Sequence, residues 1–455
     1  MLAAMKPIVT PDEMAAIDAA APEPVDVLID RAGRAVASAA LDLLGGRYGR
    51  RVVVVAGRGN NGADGRVAAE RLARRGVRVT VIDAAAAPPT LPACDLVVDA
   101  AYGTGFRGSW TAPTPPPGAS VLAVDIPSGV DALTGDAGPG VLAADRTVTF
   151  QAHKPGLLFG TGRTLAGDVT VADIGLDTST ASRWLVDAAT VTGWWRPRPA
   201  DAHKWQAAVR VVAGSPGMPG AARLCAAAAA RAGASLVTLS SPGIDARPRD
   251  EIIQRPVGDA DFAADVLDDL DRYRAIAIGP GLGRSEATVA AVRELVEAAT
   301  LPMVLDGDAL FAVSWSADGA APLLRRRGPD LATVLTPHDG EFALLHGAPP
   351  GADRIAAARE LAAETGCVVL LKGPTTVVAA EGQPTYVVAN GDARLATAGT
   401  GDVLTGVIAA LLARRWPATE AAAGGAWLHA AAASHAAPAG FLAGDLVDLL
   451  PRVLP

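Results

Sequence analysis

The stretch Thr397-Ala398-Gly399-Thr400-Gly401-Asp402 puts two glycines and a carboxylate just ahead of Val403-Leu404-Thr405-Gly406-Val407-Ile408. Val403, Leu404, Val407, Ile408 and Leu411 recur at a spacing that predicts a helix with one buried face. A glycine-rich turn entering a helix aims several backbone N–H groups at one point, and the helix dipole favours an anion there. Asp402 beside that point can take a proton from a hydroxyl while the amides hold a phosphate. An aspartate at such a place can also simply cap the helix. The segment alone leaves both readings open.

The first half holds a second concentration of polar groups at strand ends. The β-branched run Arg51–Ala56 reads as a central parallel strand and feeds into Gly57-Arg58-Gly59-Asn60-Asn61-Gly62-Ala63-Asp64-Gly65. A helix over 66–75 follows, then a strand over 77–82 that ends at Asp83. Strand, G-x-G-x-x-G, helix, strand and acidic residue together match the dinucleotide fingerprint, which by itself predicts an NAD-dependent dehydrogenase. Asn60, Asn61 and Asp64 place polar groups in the turn, however, which suits a ligand or an ion. Further along, 95–98 runs into Asp99 and the loop Gly103-Thr104-Gly105-Phe106-Arg107-Gly108, and 121–124 runs into Asp125-Ile126-Pro127-Ser128-Gly129. The strand 146–150 is followed by His153-Lys154-Pro155-Gly156. Carboxyl ends of parallel strands lie along one edge, where ligands bind. Carboxylates and glycine turns at several such ends exceed what a core requires.

The elements behind these groups are those of an α/β protein. Residues 11–44 read as helical, with Met14, Ile17, Val27, Leu28, Ala32, Val36 and Leu41 as candidate buried positions. Trp194-Trp195-Arg196-Pro197-Arg198-Pro199-Ala200-Asp201 is Pro-rich and aperiodic, which predicts a linker and two domains, 1–195 and 196–455. Strands are expected again at 209–213, 236–239, 275–278, 303–305, 333–335 and 368–371, alternating with helices as in a second, mostly parallel sheet. The polar loops after them are 214–221, 279–283, 306–308, 336–341 and 372–376. Lys372 directly before Gly373 suits a phosphate, but no G-x-x-x-x-G-K-[ST] loop is present.

Of 455 residues, 50% are apolar and 19% charged, a composition that fits packed globular domains. The net charge of -8 argues against nucleic acid as a partner. Cys94, Cys225 and Cys367 are scattered without a CxxC pair, which suits a reducing compartment and not structural zinc. The amino end, residues 1–7, lacks a signal pattern, and the most apolar windows are too short to span a bilayer. A cytoplasmic protein without a membrane partner is expected, and a homo-oligomer is compatible with everything above.

The series GRGNNGADG, DAAYGTGFRG, VDIPSGVDALTG and VTFQAHKPGLLFG resembles the NAD(P)H-hydrate epimerase domain of the YjeF type, over roughly residues 10–195. The resemblance implies a Rossmann-like three-layer domain in which Asn60, Asn61, Gly62, Ala63 and Asp64, the loop Gly103, Thr104, Gly105, Phe106, Arg107, Gly108 and Ser109, and Asp125 contact a hydrated dinucleotide. It also implies K⁺ held by Asn61, Asp99 and Ser128; one carboxylate with neutral amide and hydroxyl oxygens suits such a cation. Asp125 is the residue expected to do acid–base or ring-orienting work. Ala63 replaces a family glycine, which matters only where positive φ is needed.

The motifs HKW, AGSPGMPGAA, GPGLG, LDGDAL, TPHDGE, LKGPTTVV, NGD and TAGTGDVLTG, over roughly 200–455, resemble the ADP/ATP-dependent NAD(P)H-hydrate dehydratases of the ribokinase-like superfamily. That likeness implies that Ala221, Gly283, His338 and Asp402 hold the hydrate, with Asp402 catalytic. Lys372, Gly373, Pro374, Thr375, Thr376 and Gly401 would hold ADP or ATP with Mg²⁺. Relatives often have glycine shortly after the His-Lys pair, where this chain has Trp205-Gln206-Ala207-Ala208. The implied activity is repair of NADHX and NADPHX: epimerisation in the first half, and phosphorylation with elimination in the second. Three other classes are set against it. They are a dehydrogenase, a sugar or vitamin kinase sharing the Gly-Thr-Gly-Asp turn, and a catalytically silent first half that recruits a partner.

Overall fold

The computed structural model describes residues 5–328 and 330–455; Met1–Ala4, part of the amino end read above, and Pro329 lie outside the described residues. Contacts divide the chain into two compact units, Lys6–Arg183 and Trp184–Pro455 with Met5. The division falls before the Pro-rich stretch, because the helix Ala188–Trp194 belongs to the second unit. Trp194 is buried there, its ring edge-on to Tyr386 at 5.2 Å and to Trp416 at 6.3 Å.

The first unit is built on a parallel sheet in the order Arg78–Asp83, Arg51–Ala56, Leu96–Ala100, Ser120–Val124, Arg146–Phe150, Asp168–Ala172. Val52, Val53, Val54 and Val55 are all buried, as expected of a strand covered on both faces. The helical region expected over 11–44 is two helices, Pro11–Ala19 and Val25–Leu44. Pro22 and Pro24 interrupt it, since proline lacks the N–H a helix interior uses. Thr10 and Glu13 close the start of the first with a capping box, and Gly45 in the left-handed region ends the second.

In the second unit the strands Ile253–Gln254, Leu236–Ser240, Ala208–Val212, Ala275–Ile278, Met303–Leu305, Thr333–Leu335 and Val368–Leu371 run parallel in that order. Thr376–Ala379 and Thr385–Val388 then continue the sheet antiparallel. Those last two were not anticipated; each is only four residues long, and the first follows the polar loop at once. Trp205, the departure noted above, packs its ring edge-on to Tyr273 at 5.8 Å, with the Arg272 guanidinium 4.2 Å from its centroid. Both units are α/β, the first sheet parallel and the second mostly so, as the alternation of runs predicts. No described helix is long and apolar enough to cross a membrane.

Candidate active sites

The glycine turn and Asp64 are not a loop ahead of a helix. The helix Asn60–Arg74 begins at the asparagine itself, with Gly59 at its cap position. Gly62 has to be glycine, because a Cβ there would lie 2.0 Å from the Gly57 carbonyl oxygen. Ala63 sits in the helix and is not among the positive-φ residues, so the alanine is accommodated without strain. Asn60, Asn61 and Asp64 line a cavity of about 850 Å³ together with Gly103, Thr104, Gly105, Phe106, Arg107 and Asp125. Gly62, Ala63, Gly108 and Ser109 are not on its wall.

At one end of this cavity Asp125 occupies a left-handed backbone conformation (φ 67) that a non-glycine residue rarely adopts. Its carboxylate is 2.9 Å from Lys154 Nζ and accepts from Thr149 Oγ1 at 3.0 Å. Lys154 is 1% exposed and also donates to Thr149 Oγ1 and to the Phe150 carbonyl, each at 2.9 Å. Asp64 faces the same cavity. Burial, and then the charges of Asp125 and Asp18, push its carboxyl up to about 8, so at neutral pH it is an acid with a proton to give. The site therefore presents an ion-paired carboxylate and a protonated one.

Asp99 and Ser128 lie off the cavity wall. Ser128 Oγ donates to Asp99 Oδ1 at 2.6 Å, and the Ser128 N–H to Oδ2 at 2.9 Å. Burial raises the Asp99 carboxyl, against the pull of these bonds and of the Ala101 N–H. Both polar atoms of the Asn61 amide are buried without a partner. A buried amide in that state calls for a ligand or an ion.

In the second unit the helix Thr400–Ala413 starts at Gly399, which has φ 93 and no side-chain cap. Asp402 lies in its first turn and does not cap it, so the capping alternative falls. Burial, then the charge of Asp306, against the opposing pull of Lys372, brings the Asp402 carboxyl up to about 7; Asp308 and Glu341 add to the rise. The turn is fixed from below. Thr400 Oγ1 donates to the Leu395 and Thr397 carbonyls, and Thr405 Oγ1 is 3.1 Å from the Gly401 carbonyl. The buried His429 ring bonds the Thr400 carbonyl through Nε2 at 2.8 Å, which makes that nitrogen the N–H.

The expected partners come from several strand ends. Gly283 donates its N–H to Asp308 Oδ2 at 2.8 Å. Ala221 sits in the first turn of the helix Pro219–Arg231. His338 is the cap of the helix Asp339–His346, its Nδ1 accepting from the Gly340 and Glu341 N–H groups, and its exposed ring has Nε2 3.6 Å from Glu341 Oε2. Lys372 Nζ is held 2.9 Å from Asp306 Oδ1 and 3.4 Å from Glu341 Oε2. Of the rest of that loop, Thr375 is buried, while Thr376 opens the strand Thr376–Ala379. A Cβ placed on Gly401 would be 3.8 Å from Lys372 Nζ, so the lysine and the turn are neighbours.

Sequence reasoning passed over Lys154, Asp306, Thr405 and His429. Lys154 and Asp306 stood inside quoted motifs and were read as strand-end polar residues. His429 stands in the alanine-rich helix Ala418–Ser434, and nothing in its surroundings marks it. Among the described residues there is no group of three or more His, Cys, Asp or Glu placed to hold a metal.

A family model described as NAD(P)H-hydrate dehydratase matches residues 209–454, and one described as YjeF-related protein N-terminus matches 25–90 and 82–156. The chain is 37% identical to a bifunctional NAD(P)H-hydrate repair enzyme Nnr of Moorella thermoacetica, over 98% of this chain and 96% of that protein. It is 33% identical to the enzyme of the same description from Escherichia coli, over 89% and 85%. Among solved structures, an ADP/ATP-dependent NAD(P)H-hydrate dehydratase from Bacillus subtilis, co-crystallised with ATP and Mg²⁺, is 31% identical with a TM-score of 0.50. It covers 59% of this chain and 96% of its own.

Proposed function

The chain belongs to the family of bifunctional NAD(P)H-hydrate repair enzymes, and from that premise we propose that its two units divide the repair between them. The first epimerises the R and S hydrates of NADH and NADPH. The second converts the S hydrate back to NAD(P)H at the expense of ADP or ATP. The enzyme is placed in the cytoplasm.

The observation that carries the second assignment is Asp402, a partly buried and uncapped carboxyl beside the amides of Gly399–Gly401 and next to Lys372. Hydroxide is a poor leaving group. Asp402 takes the proton of the ring hydroxyl, whose oxygen attacks the terminal phosphorus of the nucleotide as the bridging P–O bond breaks, releasing AMP from ADP or ADP from ATP. The turn amides and Lys372 offset the charge on the transferring group. The ring C–O bond then breaks, inorganic phosphate leaves with its electron pair, and loss of a proton from the adjacent ring carbon restores the dihydropyridine. Ala221, Gly283 and the exposed ring of His338 would line the hydrate; Gly373, Pro374, Thr375, Thr376 and Gly401 would line the nucleotide. Mg²⁺ would come with the nucleotide and neutralise its phosphates.

In the first unit the orphaned Asn61 amide and the buried Asp99–Ser128 pair supply the oxygens and single negative charge that a K⁺ ion accepts. Bound there, K⁺ would supply positive charge next to the substrate. Asp125 and the cavity residues from 60 to 107 would orient the hydrated ring, with Asp64 ready to protonate its hydroxyl. Reopening and reclosing of the C–O bond on either face exchanges the epimers.

One assay tests both assignments. The full chain is incubated with an epimer mixture of the hydrate, with and without ADP, and dihydropyridine absorbance is followed. Complete conversion that needs ADP and K⁺ is expected. Arrest once the S form is consumed would remove the epimerase; no absorbance gain with ADP would remove the dehydratase.

A further inference from the structure

We propose that Asp306 is the positioning residue of the second site: one buried carboxylate that holds Lys372 on one side and, through Thr405, the Gly399–Asp402 turn on the other. The proposal rests on the reading of Asp402 as the base.

Asp306 follows the strand Met303–Leu305 and is 4% exposed. Its Oδ1 accepts from Lys372 Nζ at 2.9 Å and from Thr336 Oγ1 at 2.8 Å. Its Oδ2 accepts from Thr405 Oγ1 at 2.7 Å. These donors come from two other strand ends and from the second turn of the Asp402 helix. Thr405 is itself within reach of the Gly401 carbonyl, so the carboxylate is one side chain removed from the turn amides. A Cβ on Gly401 would lie 3.8 Å from both Asp306 Oδ2 and Lys372 Nζ, which puts the ion pair directly against the turn.

The arrangement does more than satisfy a buried ion. A carboxylate with three donors in fixed directions sets the position of the lysine relative to the turn, and in-line phosphoryl transfer depends on that relation. Burial would raise the Asp306 carboxyl, but the charge of Lys372 and the donated hydrogen bonds hold it below the ordinary range, so it stays ionised. The charged groups facing Asp402 are Asp306, Lys372, Asp308 and Glu341, and the un-ionised thiol of buried Cys225 lies behind it. Asp306 is the first among these charges. Removing it lowers the Asp402 pKa twice over, by deleting a like charge and by leaving Lys372 less compensated.

The test uses the full chain and the ADP-dependent dehydration of the S hydrate, with kcat, KM for ADP and the pH profile measured for wild type, Asp306→Asn and Thr405→Val. Asp306→Asn should lower kcat about tenfold or more, raise KM for ADP, and move the acidic limb of the profile down by about one pH unit. Thr405→Val keeps the charge, so it should lower kcat with the acidic limb in place. A rate loss in Asp306→Asn with an unmoved acidic limb would mean a merely structural ion pair and overturn the proposal. If Asp306→Asn does not fold, wild-type kcat in Thr405→Val overturns it instead. Failure of the wild type to dehydrate with ADP strikes at the function assigned to the site, and is thereby distinguished from failure of the role given to Asp306.

Discussion

Replacing Asp402 by Asn should separate catalysis from stability in opposite directions. The carboxyl is raised from its ordinary 3.8 to about 7, chiefly by burial. A carboxyl of this kind keeps its proton longer in the folded state than in the unfolded one. The native state therefore loses stability as pH rises from about 4 to about 7, and stays at that lower level above pH 7. The full separation corresponds to about 4 kcal/mol, an upper figure because the group is not wholly shielded from water. Asparagine carries no such penalty. Asp402→Asn should accordingly match the wild type near pH 3.5 and exceed it at pH 8 by up to that amount, read from urea unfolding of the second unit. Its dehydration rate should fall by about two decades or more, since loss of a positioned base removes 10²–10⁴ in rate. ADP should still bind, because Asp402 is not asked to hold the phosphates. For the wild type, the rate should drop tenfold per pH unit below about 7 as the base becomes protonated. Near-normal dehydration by the variant, or a wild-type rate flat between pH 5 and 8, would refute the role assigned to this carboxyl.

Three other outcomes are expected. Lys154→Met leaves Asp125 without its counter-charge in a site where the lysine is 1% exposed. Breaking such a pair should cost about 3–5 kcal/mol in the first unit and abolish epimerisation, while pre-formed S hydrate is still dehydrated; thermal unfolding with the two assays run in parallel checks this. Exchange of K⁺ for Li⁺ should slow epimerisation in the wild type, and Asn61→Leu should be slow in either salt because the orphaned amide is gone. His429→Ala leaves the Thr400 carbonyl without its buried donor and should reduce dehydration about tenfold, whereas His429→Gln, whose amide can donate, should recover part of the loss.

Much of the frame could be read from residue order because parallel sheets buried on both faces announce themselves as short β-branched runs. Ala275–Ile278, Met303–Leu305, Thr333–Leu335 and Val368–Leu371 fall where the pattern puts them. The starts of the two key helices were less legible. Asn60, Asn61, Gly62, Thr400 and Gly401 are weak helix formers, so propensity draws them as loop, whereas packing against the strand ends makes them helical. The proposed Asp125–Lys154 and Asp306–Thr405 pairs were hidden for another reason. Their members lie far apart in sequence, 99 positions in the second case, and no local periodicity reports which strand ends converge. His429 shows the limit most clearly: a single ring among alanines gains its meaning only from the carbonyl it reaches.

The close packing behind the Gly399–Asp402 turn also has a consequence for motion. Gly406 lies so near the helix Pro219–Arg231 that a Cβ would come within 2.1 Å of the Cys225 carbonyl oxygen, and one on Gly399 would come within 2.7 Å of Leu224. Two helices in backbone contact at one end cannot slide or tilt independently without a clash. The helix bearing Asp402 and the helix bearing Ala221 therefore travel as one block. Opening of the second site by one of these helices moving against the other is therefore excluded. Turnover limited by product release would then be indifferent to further stiffening of the helix pair.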